Sequence, residues 1–135
     1  MKRKSFCFSM FLLMSGVVVA YGQKTVDATL VGKWCYINPQ ANSMESMTNS
    51  CVTLNADGTY EISLDRSTLP GGFSIAQDTD YGTWWVQGNR VFYISQSQGE
   101  GSFRFQKLNH PRMDNLPLVV LNGQAFGAAS PRDPW

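Results

Sequence analysis

Two short segments constrain this chain more than any others: LVGKWCYI at residues 30–37 and SCVTL at residues 50–54. Both alternate as half-buried strands do, because successive side chains on a strand point to opposite faces. In the first, Leu30, Trp34 and Tyr36 share one face with Gly32, while Lys33 and Cys35 share the other. In the second, Val52 and Leu54 face away from Cys51 and Thr53. An antiparallel pairing that sets Cys35 opposite Cys51 also sets Trp34 opposite Val52. One register thus satisfies an apolar face and a disulfide together, and a slip of one residue would turn every side chain over.

A lasting disulfide belongs to an oxidising compartment, and the N-terminus supplies a matching address. Lys2, Arg3 and Lys4 precede an almost wholly apolar run over residues 6–19, and Ala20 and Gly22 place small residues before a cut at Gln23. Residues 1–22 read as a secretory signal peptide, too short and wrongly flanked for a membrane span. The competing reading is an uncleaved N-terminal anchor. Cys7 would leave with the signal, and no small-residue box ends in cysteine as a bacterial lipoprotein would require. The expected location is periplasmic or extracellular, with no transmembrane segment in the mature chain. Residues 23–135 then make one domain.

Loss of the three basic signal residues leaves eight basic and ten acidic side chains. That balance gives no broad positive footprint, so no nucleic-acid partner is expected. Cys35 and Cys51 are the cysteines that remain, and His110 is the sole histidine. A zinc centre needs about four ligands, so the cysteines read as a disulfide, with no metal and no cofactor.

No window of eleven or more residues carries apolar side chains at helical spacing; short alternating segments recur between turn residues instead. Strands are predicted at 30–37, 50–54, 59–64, 81–86, 90–94, 102–108, 118–121 and 124–128. Asp57-Gly58 and Asn122-Gly123 are hairpin turns, the second being the strongest such signal. A two-residue turn at Gly88-Asn89 would pair Trp84 with Tyr93, whereas a three-residue turn would shift that register. Trp84 and Trp85 point to opposite faces in either case. Residues 65–79, with Pro70-Gly71-Gly72, read as a long surface loop. The sum is an all-β fold: an eight-stranded, up-and-down antiparallel barrel.

The order of LVGKW, LNADGTY and YGTWWVQGNRVF resembles that in bacterial secreted lipocalin-like domains, and the resemblance spans residues 30–128. It implies a lipocalin-like barrel whose bottom is closed by Trp34, with an arginine across the indole. Arg132 is the candidate, supported by the attraction of a guanidinium to an indole face, and Arg104 competes for the role. The C-terminal helix of animal lipocalins has no counterpart. Thr79-Asp80-Tyr81 echoes a lipocalin loop motif at the wrong distance and reads as the start of a strand.

An eight-stranded barrel can fill with its own side chains or hold one small ligand. The inward candidates are Tyr36, Val52, Leu54, Tyr60, Ile62 and Trp84. They either pack against one another or line an apolar pocket with tyrosine hydroxyls as polar contacts. Met44 and Met47, in the polar loop after the first strand, form an adaptable lid or simply rest on the barrel end. His110 stands beside Pro111 without a nucleophile motif nearby and reads as structural. Asp78 and Asp80 fall short of the six to eight oxygens that calcium takes. Gly71-Gly72 and Gly99-x-Gly101 lack the strand-to-helix setting of a phosphate loop.

The expected function is therefore a secreted, non-catalytic protein that binds a small apolar ligand. One alternative is a secreted protein partner: GKW…CVTL is similar to the opening of bacterial metalloprotease inhibitors, small barrels with one disulfide that act through an N-terminal arm, here residues 23–29. Another is an interaction module using the outward indole of Trp85.

Overall fold

The computed structural model of the chain describes residues 24–38, 40–41, 43–69 and 78–135. The expected signal peptide and residues 70–77 of the long loop lie outside the described residues. Eight strands follow one another: β1 (Gly32–Tyr36), β2 (Cys51–Leu54), β3 (Thr59–Ser63), β4 (Thr79–Gln87), β5 (Arg90–Ser95), β6 (Gly99–Asn109), β7 (Pro117–Leu121) and β8 (Gln124–Ala128). Each pairs antiparallel with the next, and β8 returns to β1, closing an up-and-down barrel. Closure leaves no unpaired sheet edge.

The β1–β2 register is the one that the cysteines and Trp34 jointly demand: Trp34 opposes Val52 and Cys35 opposes Cys51. The Cys35–Cys51 disulfide is formed, with an S–S distance of 2.06 Å. It lies on the outward face yet is buried, beside the β1–β2 connection, whose Thr48 amide donates to the Tyr36 carbonyl at 3.0 Å. The Gly88-Asn89 turn has two residues, so Trp84 opposes Tyr93 and Gln87 opposes Arg90. At the β7–β8 hairpin Asn122 and Gly123 have φ of 48° and 86°. Positive φ at both central residues matches the right-handed twist of the flanking strands, which is why this dipeptide marks the turn.

Several strand ends differ from the sequence expectation. β1 begins at Gly32, because Asp27 caps a 3-10 turn over Ala28–Leu30 by accepting the Thr29 amide at 2.9 Å. Leu30 is still fully buried, but below the strand, where its carbonyl accepts the Trp34 Nε1–H at 2.8 Å. β2 and β3 are each one residue shorter than expected, and β5 and β7 one longer. β4 starts two residues early, at Thr79, and β6 runs from Gly99 to Asn109. Both extensions are held by complete ladders, Ser63 opposite Thr79 and Asn109 opposite Pro117.

The core has two parts. Trp34, Val52, Tyr60, Trp84 and Phe126 are buried within the barrel. Ile37, Leu116 and Leu118 are buried on the opposite face of the sheet, where Met47 reaches Gly127.

Candidate functional site

One end of the barrel is plugged. Trp34 is 1% exposed, and its ring stacks on Trp135 with centroids 5.8 Å apart. The Arg132 guanidinium lies 4.9 Å from the Trp34 ring centre and 5.5 Å from that of Trp135. It also donates to the Thr29 carbonyl at 2.7 Å and the Val31 carbonyl at 3.2 Å, two acceptors exposed by the 3-10 turn. Arg104 is elsewhere, on β6, where its amide donates to the Asn122 side chain. Lys107 Nζ sits 5.0 Å from the Trp135 ring and pairs with Asp27 at 3.4 Å. Burial alone would raise the Asp27 carboxyl, but hydrogen bonds from Thr29 and the nearby Lys107 outweigh it and hold the group below the usual carboxylate range.

Above the plug, the inward side chains enclose a cavity of about 70 Å³. A water needs about 10–15 Å³ of such space, so the interior keeps a small void. Of the predicted lining, Val52, Leu54, Tyr60, Ile62 and Trp84 border this space, together with Trp34. Trp84 is fixed by its Nε1–H, which donates to the Asn55 carbonyl at 3.1 Å.

The other predicted site residues lie apart from the cavity. Tyr36 shares the Trp34 face but packs edge-on to Phe126, 6.0 Å between centroids. Met44 and Met47 do not cover the interior, because the β1–β2 connection folds over the outer surface, where Gly127 leaves room for the Met47 methyl. Met44 is 49% exposed and borders a shallow surface depression with Arg112 and Met113. His110 is buried, and its Nδ1 accepts the amides of Arg112 and Met113 at 3.0 and 3.2 Å, fixing the turn before β7. Trp85 faces outward, stacked on Phe92, with Lys24 Nζ 4.2 Å from its ring centre.

Sequence reasoning missed the far end of the cavity. Asp80, Tyr93, Ser95, Gln98 and Phe103 complete its lining there. Asp80 points inward because β4 begins at Thr79: residues 80, 82 and 84 share a face, and Asp80 opposes Ile62. The Tyr60 hydroxyl donates to Asp80 Oδ2 at 3.0 Å, and the Ser95 and Ser97 hydroxyls donate to Oδ1 at 2.9 and 3.3 Å. Burial first, and then Asp80, push the Tyr60 phenol far above its usual range, and the same two causes raise that of Tyr93.

Glycines make this arrangement possible. Tyr60 stands opposite Gly82 and Tyr93 opposite Gly101, and each ring leans over its glycine. A Cβ at Gly101 would collide with the Tyr93 phenol, and one at Gly82 with the Ile94 carbonyl. The tyrosines then meet edge to face at 6.0 Å, and Tyr93 stacks on Phe103 at 5.3 Å. The alternation of YGTWW with the paired VFYIS is the signal that could have revealed this.

Among the described residues no group of three or more His, Cys, Asp or Glu is placed to hold a metal ion, and no helix is long and apolar enough to cross a membrane. Comparisons with protein-family models, curated proteins and solved structures give no match to this chain.

Proposed function

We propose that the protein is a secreted, non-catalytic barrel of lipocalin-like type that takes a small, largely apolar molecule into its interior. The observation that carries this reading is the cavity itself: apolar and aromatic walls, with the polar groups gathered at one end. Ligand sites share that composition, a mainly apolar lining with a few placed polar groups that fix orientation. The stacked Trp34, Arg132 and Trp135 support the lipocalin-like side of the reading. The basic-then-apolar N-terminus and the buried disulfide support export.

The inhibitor alternative needs a free N-terminal arm. Residues 24–31 are instead tied to their own barrel: Thr25 bridges to Val86, and Leu30 is buried beneath Trp34. That contact weighs toward the interior as the working surface.

An environment-sensitive apolar dye should bind the folded protein at one site, and benzyl alcohol should displace it. Burial of apolar surface should give the binding a negative heat-capacity change. Tyr60→Trp should narrow the space and weaken both ligands. A folded protein that takes up neither ligand stoichiometrically would sink the reading. Intact mass of the exported protein, beginning at Gln23, checks the export half.

A further inference from the structure

We propose that the cavity selects molecules carrying a protonated amine on a small apolar body, with Asp80 as the counter-ion. This inference rests on the interior-binding reading above and names the ligand class for it.

Among the described residues Asp80 is the one charged side chain bordering the cavity. Its hydrogen-bond partners are three hydroxyls, from Tyr60, Ser95 and Ser97. Hydroxyl dipoles orient a carboxylate without cancelling its charge. A carboxylate offers about four acceptor positions, so three donors leave one for an N–H from a ligand. The ion pairs among the described residues join Arg66 to Asp78 and Lys107 to Asp27, and neither reaches Asp80. Tyr60 stays protonated, held so by burial and by Asp80, and keeps its donor aimed at the carboxylate.

The surroundings favour a cation as well. Tyr60, which meets Tyr93 edge to face, and the stacked Tyr93 and Phe103 border the same cavity as Asp80, and aromatic faces attract ammonium groups. A carboxylate ligand would meet Asp80 as a like charge, while a neutral one would gain a hydrogen bond to the carboxylate but no attraction between charges. An ammonium gains both the hydrogen bond and the attraction between unit charges.

The test is an NMR titration of the folded protein with three probes of one shape: benzylamine, benzyl alcohol and benzoate. Benzylamine should bind about tenfold more tightly than benzyl alcohol, from the added attraction between its ammonium and the carboxylate, and benzoate more weakly than either. Asp80→Asn should erase the advantage of the amine over benzyl alcohol. Glu61→Gln, on the outward face of β3, should keep it. If benzyl alcohol binds as well as the amine, or benzoate binds best, this inference fails and the interior-binding reading survives. If none of the three binds, both fall. The ranking in the unaltered protein decides the matter even should Asp80→Asn not fold.

Discussion

The two ends of the barrel are built by opposite means. At the Trp34 end, two indoles stack and cations lie over them: Arg132 on both rings and Lys107 on Trp135. Their charges are spent on backbone carbonyls, on Asp27 and on aromatic faces. At the Asp80 end a carboxylate faces inward among hydroxyls and rings, with no cation paired to it among the described residues. The first arrangement excludes solvent and other molecules by packing. The second keeps an unspent charge beside a void. The contrast separates what holds the fold from what can recognise a ligand.

Breaking the plugged end should have the largest effect. Trp34 is buried, stacked and hydrogen-bonded through its indole N–H. Trp34→Ala should cost about 3–5 kcal/mol, the range for deleting a large buried aromatic. Urea unfolding measures it, and a loss below about 1 kcal/mol would place the indole among surface positions and dissolve the distinction between the ends.

The disulfide comes next and belongs to the other end. Cys51 opposes Ser63, which opposes Thr79, the strand position before Asp80. Cys35 and Cys51 are 16 positions apart, and closing a loop of that size contributes about 3 kcal/mol through the unfolded chain. Replacing both by serine should lower stability by about that much. Amide exchange should quicken in β1 and β2 near the cysteines before it quickens around Trp34. Two free thiols in exported protein, seen by alkylation and intact mass, would remove the bridge from the account.

The same contrast explains what the sequence could tell. The β1–β2 pairing is legible because its parts are local and patterned: Trp34 and Cys35 alternate on one strand, and Cys51 and Val52 repeat the alternation on the next. Hairpins set by Asp57-Gly58, Gly88-Asn89 and Asn122-Gly123 left little freedom in strand order. The Asp80 end is not, because its residues come from β3, β4, β5 and β6 and meet only once three successive registers are set. A single inward carboxylate also breaks the apolar rhythm that identifies a strand, so β4 was read as starting after Asp80. Met47 misled for a related reason. Loop residues carry no alternation to say which surface they will cover, and this loop covers the outside.

The smallest expected effect is alkaline, and it tests the Asp80 end without any ligand. In the folded protein the Tyr60 and Tyr93 phenols titrate above the ordinary value of 10.0, chiefly from burial and then from Asp80. Above pH 10 the unfolded chain releases these protons first, so the unfolded state binds fewer protons than the native one. Stability is therefore complete below pH 10 and declines as pH rises beyond it. Urea midpoints measured across that range should fall, and Tyr60→Phe should flatten the decline by removing the group with the larger shift. Asp80→Asn should do so only in part, since burial, the greater cause, remains. Tyrosinate absorbance of the native protein gives the direct reading: two phenols should resist ionisation until the barrel opens. If every tyrosine ionises near pH 10 while the protein stays folded, Tyr60 is not buried against Asp80, and the Asp80 end is not the hydrogen-bonded cluster described above.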